Sequence, residues 1–324
     1  MKTTIVIPNY NGEKFLKNCI ESVKLAKANR DCEILVVDNG SSDESLKQAK
    51  DYKAAGEIRL LELPINMGFP AAVNAGIKAA KTEYVFLLNN DTTVDEKVVS
   101  ALEDFMDAHP KAFGVSAKML QMYAPEKIDD CGDIYNCLGW ARGLGKDKPK
   151  EMYEKNAKIF APCAGAAIYR KEIFGKIGLF DERHFAYLED IDVAYRALIF
   201  GYKNYFCKDA IVYHAGSGFS GSRYNTFKIE LSSRNNVYLI HKNMPLLQWL
   251  INLPFLIVGF FVKELFFIRK GFGGTYFKGV LKGIKMSFDA EGRDAKVRFK
   301  PRFFLNYVKI QLLLWVNLVR TFVG

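Results

Sequence analysis

The apolar run Tyr84-Val-Phe-Leu-Leu88 ends abruptly in Asn89-Asn90-Asp91. A run of that length bounded by turn formers reads as a buried strand of a parallel sheet, and such sheets bind ligands at their C-terminal edge. A carboxylate there can hold Mg²⁺ or Mn²⁺, whose coordination is normally completed by substrate phosphates. Asp91 therefore points to a phosphate-bearing substrate. A second acidic group, Glu189-Asp190-Ile-Asp192, opens a helix-like segment. One acid would suffice as a cap, whereas three within four positions repel one another and raise a carboxyl group toward general-base range. His214 follows the strand-like stretch 211–213 and precedes Gly216 and Gly218. A lone His is more often structural, yet one at a strand end is placed to join Asp91 on a metal.

Asp38 ends the apolar stretch 34–37 and starts the loop Asp38-Asn-Gly-Ser-Ser-Asp43. Its carboxylate can accept from a pyrimidine N–H or a ribose hydroxyl. Asp43 fits that role and a helix cap equally well, but Asp38 lies too far from the next helix to cap it. In Asn66-Met-Gly68-Phe-Pro70-Ala-Ala-Val-Asn74-Ala-Gly76, Gly68 permits close backbone approach to a ligand and Pro70 suits a first helical turn. Gly216-Ser-Gly218-Phe-Ser-Gly221 satisfies G-x-G-x-x-G, but it falls late and lacks a following βα unit. It reads as a flexible flap and not as a dinucleotide site. A G-x-x-x-x-G-K-[ST] loop is absent, which argues against an NTPase.

These groups need a scaffold that gathers strand ends. Residues 3–8, 33–38 and 59–63 are β-rich, while 12–28, 42–53 and 70–80 have helical spacing. With 84–88 as the next strand this βαβαβα pattern predicts an α/β fold with an open, mostly parallel sheet. Beyond it the spacing predicts a helix over 95–108, strands over 113–120 and 164–169, helices over 171–177 and 190–201, and a last strand at 211–213. Residues 1–224 are expected as one α/β unit and 225–324 as a separate helical extension.

At 324 residues, 49% of them hydrophobic, the chain can form one large or two ordinary domains. Net charge is +10, yet from Asn225 onward 16 Lys and Arg stand against 5 Asp and Glu, so the basic charge belongs to the tail. Within it, 246–262 is almost wholly apolar apart from Pro254 and Gly259, and 303–323 carries Lys309 and Arg320 among Leu, Trp and Phe. Such amphipathic, apolar helices suit an anionic lipid surface and not nucleic acid. The competing reading is that they cover the sheet or form a homodimer contact. The six cysteines form no C-x-x-C pair and strand-like sequence begins at Thr3 without a signal peptide, an arrangement expected of free thiols in a reducing cytosol.

Taken in order, Ile-Pro-Asn-Tyr-Asn at 7–11, Val-Val-Asp-Asn-Gly-Ser-Ser-Asp at 36–43, Asn-Met-Gly-Phe at 66–69, Leu-Leu-Asn-Asn-Asp at 87–91, Glu-Asp-Ile-Asp at 189–192 and His-Ala-Gly-Ser at 214–217 resemble the family 2 inverting glycosyltransferases of the GT-A fold. The resemblance covers roughly residues 1–240. It is greatest to the rhamnosyl- and galactofuranosyltransferase-like branch, which builds surface polysaccharides.

The resemblance implies a nucleotide-binding half over about 1–95, an acceptor half over about 96–224, and a nucleotide-diphosphate sugar donor with a glycan or lipid-linked acceptor. It implies donor contacts from Pro8, Tyr10, Asn11, Asp38, Gly40, Asn66, Gly68, Asn74, Asn90 and Asp91. It implies a divalent cation, Mg²⁺ or Mn²⁺, on Asp91 and His214, and Asp190 as catalytic base with Glu189 beside it. Arg234, in Ser-Ser-Arg-Asn-Asn, resembles a basic residue that pairs with diphosphate. Asn89 departs from the family's D-x-D element, which makes His214 more important to the metal. The expected location is the cytoplasmic face of the cell membrane, peripheral or monotopic. Two rival readings are an inactive membrane-associated nucleotide-sugar-binding protein and a sugar nucleotidyltransferase. The second needs a Gly- and Arg/Lys-rich N-terminal loop, which Ile7-Pro-Asn-Tyr-Asn11 is not.

Overall fold

The computed structural model describes residues 1–216 and 224–323. Of the flap expected over Gly216–Gly221, all but Gly216 lies outside the described residues. Four strands, β1 (Thr3–Asn9), β2 (Cys32–Asn39), β3 (Arg59–Leu63) and β4 (Tyr84–Leu88), pair in parallel in the order β3-β2-β1-β4. They alternate with α1 (Leu16–Asn29), α2 (Ser45–Ala54) and α3 (Phe69–Ala79). Because strand side chains alternate between faces, β1 feeds two cores at once. Ile5 and Ile7 pack with Leu16, Val98 and Leu102 on one face, and Val6 packs with Val73 and Ile77 on the other. Burial on both faces explains why β1, β2 and β4 read as continuous apolar runs, whereas the edge strand β3 keeps Arg59 and Glu62 exposed.

After β5 (Thr92–Val94) and α4 (Val98–Ala108), the chain enters β6 (Ala112–Gln121). The middle stretch, between the strands expected over 113–120 and 164–169, holds four more strands: β7 (Ala124–Asp130), β8 (Asp133–Tyr135), β9 (Ala141–Gly143) and β10 (Ala157–Ile159). Three of these are only three residues long, too short for a period of two to register. β11 (Ala166–Arg170) then inserts antiparallel between β4 and β6. It is followed by α5 (Lys171–Ile177), α6 (Glu189–Ile199) and β12 (Lys203–His214), a strand far longer than the expected 211–213. The sheet order is completed as β10-β12-β6-β11-β4. Since β11 runs opposite to its neighbours, its start at Cys163–Gly165 lies at the edge where β4 ends, and Asn89 N–H donates to the Gly165 carbonyl at 2.8 Å.

The C-terminal part is helical, with α7 (Thr226–Asn243), α8 (Leu246–Arg269), α9 (Gly273–Phe288), α10 (Ala290–Ala295) and α11 (Phe304–Val323). The boundary expected at 224/225 is crossed by a shared core in which Leu239 and Ile240 of α7 and Ile310 and Leu314 of α11 pack with Tyr135, Phe160 and Tyr195. α7 thus belongs to the α/β body. α8 keeps one narrow stripe inside, Gln248, Asn252, Leu256 and Gly259, rests Phe260 on the core and Phe267 on Tyr276, and turns most of its other apolar side chains outward.

Candidate active site

The edge where β1, β2, β4, β6 and β12 end frames a cleft of about 900 Å³. A second hollow of about 690 Å³, around Lys78, Glu83 and Lys171, lies at the opposite end of β4 and receives none of the candidate residues. At the main cleft, β5 pairs with the end of β12, Thr92 opposite His214, and so brings the imidazole to Asp91, the residue before β5. His214 Nε2 lies 3.3 Å from Asp91 Oδ1. Its Nδ1 meets Asp129 Oδ2 at 2.8 Å, and Asp129 also pairs with Lys146.

This arrangement suits a cation. Two ligands of one ion at bonds of about 2.1 Å stand roughly 3.0–3.4 Å apart. A carboxylate on Nδ1 is the usual way to aim the other ring nitrogen at a metal. Burial opposes charge on His214, but the hydrogen bonds to Asp129 and Asp91 push it up to about 10. Burial is likewise overcome at Asp129, which His214 and Lys146 hold below the usual carboxylate range. A proton on the imidazole thus balances the two acids, and a cation between His214 and Asp91 would displace it.

Asp190 faces the same cleft from the first turn of α6. Burial raises its carboxyl to about 6, restrained by N–H donors from Ile191 and Ala164. Glu189 is 7% exposed, with no hydrogen-bond partner for Oε2 among the described residues. Burial and then Asp190 raise it to about 8. The preceding loop is strained: Phe185, Tyr187 and Leu188 all have positive φ, of 61°, 70° and 67°. Non-glycine residues in that region cost on the order of 1 kcal/mol each and persist only where neighbours enforce them. The enforcing groups come from α7. Asn235 Nδ2 donates to the carbonyls of His184, Ala186 and Tyr187, and Arg234 donates to those of Arg183 and His184.

Of the expected residues, Pro8, Tyr10, Asn66, Gly68, Asn90, Asp91, Glu189, Asp190 and His214 line this one cleft, whereas Asn11, Asp38, Gly40, Asn74 and Arg234 do not. Asn11 Oδ1 accepts from Ser42 N–H and ties the first loop to the second. Asp38 is buried, accepting from Asn9 Nδ2 and Ser41 N–H, and the adjacent Asn39 reaches the cleft instead. Gly40 turns against the backbone of Ile65. Asn74 clamps Phe180 from both ends, accepting its N–H and donating to its carbonyl. Arg234, expected on diphosphate, contacts the loop before Glu189. Gly68 has a backbone role at the cleft wall, since a Cβ there would fall 2.4 Å from the Phe185 carbonyl. Sequence reasoning missed Asn9, Asn39, Asp129, Asp130 and Asp133, which line the cleft together with Cys163. The signal that could have found the acids is Asp129-Asp-Cys-Gly-Asp133, three acids in five positions.

EpsJ of Bacillus subtilis (strain 168), described as an uncharacterized glycosyltransferase, is 26% identical over 194 residues, which are 58% of this chain and 53% of EpsJ. TarS of Staphylococcus aureus, a poly(ribitol-phosphate) β-N-acetylglucosaminyltransferase, is 24% identical over 174 residues, 52% of this chain and 28% of TarS. The chain thus spans about half or less of these relatives. The crystal structure of TarS 1–349 with UDP-GlcNAc superposes with a TM-score of 0.60 at 17% identity, covering 97% of this chain and 89% of that one. The mannosyltransferase PcManGT from Pyrobaculum calidifontis with GDP-Man and Mn²⁺ does so at 0.56 and 13% identity, covering 97% and 84%. These likenesses show the GT-A fold. Residues 4–178, more than half of the sequence, match Glycosyl transferase family 2, and the chain belongs to that family.

Proposed function

We propose that this protein transfers a sugar, with inversion, from a nucleoside diphosphate sugar to a hydroxyl of a glycan or lipid-linked acceptor in cell-surface polysaccharide synthesis. The observation that carries the proposal is the placement of Asp190, poised near neutrality, in the same cleft as the Asp91–His214 pair. Asp190 takes the proton from the acceptor hydroxyl, whose oxygen attacks the anomeric carbon. The bond from that carbon to the diphosphate oxygen breaks, and nucleoside diphosphate leaves. A single displacement inverts the centre and needs no enzyme-bound intermediate. Asp91 and His214 would hold the divalent cation, which when bound neutralises charge on the departing diphosphate. Pro8, Tyr10, Asn39, Asn66 and Gly68 surround the place for the nucleoside and ribose. The Asn89-Asn90-Asp91 form favours a rhamnosyl- or galactofuranosyl-type donor within the family.

The test is a panel of nucleotide sugars read by nucleoside diphosphate release, with and without Mn²⁺, on the native protein and Asp190→Asn. Metal-dependent release with one donor, lost in Asp190→Asn while donor binding persists, is the expected result. Binding without release throughout the panel would favour the inactive binding protein. Release undiminished in Asp190→Asn would remove it from the base role.

A further inference from the structure

We infer that Asp130, Asp133 and Cys163 form a second divalent-cation site, separate from Asp91 and His214 and suited to a thiophilic ion such as Zn²⁺. One ligand atom from each lies within 4.8 Å of the other two, a triangle that a single ion can span. The three sit on firm backbone. Asp133 N–H donates to the Ala161 carbonyl at 2.8 Å and starts the β8–β9 hairpin, while Ala166 N–H donates to the Cys163 carbonyl at 3.1 Å as β11 begins. Asp130 Oδ1 is fixed by Gly132 N–H.

A second observation points to the same place. Glu189, more than nine-tenths buried and lacking a partner for Oε2, lines the cleft with these three residues and adds its repulsion to Asp133. Among the described residues Asp130, Asp133 and Glu189 form no salt bridge, since Lys146 is taken by Asp129. Buried carboxylates are ordinarily paired with cations or bound to metals, and this group lacks a protein cation of its own. The thiol distinguishes the site from the first, because sulfur selects zinc-like ions while a carboxylate with imidazole accommodates Mn²⁺. Metal entry requires the Cys163 proton to leave for solvent. The site also borders the base, as Asp190 accepts from Ala164 N–H, next to Cys163.

Cd²⁺ titration tests this, read by the ultraviolet thiolate-to-cadmium absorption. One equivalent should produce the band in the native protein and in Asp91→Asn. Cys163→Ser should abolish it, and Asp133→Asn should weaken binding about tenfold or more. Asp133→Asn removes repulsion, so an unchanged or raised Tm is expected and shows that the variant is folded. No band in the native protein, a band surviving Cys163→Ser, or one indifferent to both Asp130→Asn and Asp133→Asn would each overturn the inference. These readouts require no turnover, so they stand or fall apart from the proposed transfer reaction.

Discussion

Asp190 has the features of a general base held in reserve. A carboxylate at its ordinary value would be too weak to take a proton from a sugar hydroxyl, and one at about 6 is stronger while still ionised near pH 7. Because only the ionised form accepts a proton, kcat/KM should fall as pH drops through about 6, tenfold per pH unit on the acid side. Glu189, Asp130 and Asp133 face the same space, and ionisation of any of them would push this limb upward. A profile flat from pH 5 to pH 7 would contradict the role. Asn235 acts one step away. Its amide satisfies three carbonyls of the left-handed loop before α6, so Asn235→Ala should let that loop relax and misplace Asp190. The expected loss is about 100-fold in kcat with donor KM changed less than about threefold. An equal rise in KM would indicate general damage instead.

α6 begins with the acids that serve the cleft and continues into one that serves the core. Asp192 is fully buried and accepts from Arg196, Lys242 and Asn243, joining α6 to α7. Despite burial, Arg196 and Lys242 hold it well below the ordinary carboxylate range. Removing the carboxylate leaves the buried Arg196 with carbonyl partners alone and Lys242 with Asp181 alone, so Asp192→Ala should cost about 3 kcal/mol in denaturant unfolding. A loss under about 1 kcal/mol would mean that solvent reaches the pair. In sequence the three acids of this turn look alike, and only the packing of α7 separates them. The same limit explains what else was legible. β1, β2 and β4 were readable because strands buried on both faces leave unbroken apolar runs, and the βαβ order followed from the helical spacing between them. Asp91, His214 and Asp190 stand at or beside the ends of elements, which is why sequence reasoning picked them out, and the structure brings them to one cleft. Asn74 and Arg234 were placed on the donor, yet their partners are carbonyls remote in sequence, which no local pattern announces. Asp129 and Asp130 were overlooked because β7 is polar and exposed over its first half, and Asp133 because a strand of three residues reads as loop.

The whole molecule has one chemically distinct side. α8 is long and apolar enough to cross a membrane, at about 36 Å. Its inner stripe is nevertheless committed to protein: Gln248 accepts from Tyr195, Asn252 and Gln311 of α11 exchange amide hydrogen bonds, and Trp140 donates to the Gly259 carbonyl. Crossing a bilayer would break all of these, so the helix lies along the surface of the domain. Its outer face exposes Leu250, Val258 and Phe261, and α11 exposes Leu305, Leu312 and Val319. Basic residues such as Lys270, Lys300 and Arg302 accompany them. We therefore expect the protein to lie on an anionic membrane in monotopic fashion, with the acceptor presented from the lipid surface. Vesicle flotation should recover it with anionic lipid, and less so as salt shortens the range of charge attraction. Phe261→Glu combined with Leu312→Glu should release it at unchanged Tm, because both side chains leave the core untouched. A native protein that stays off the vesicles and doubles in mass with concentration would instead assign this apolar side to a dimer contact.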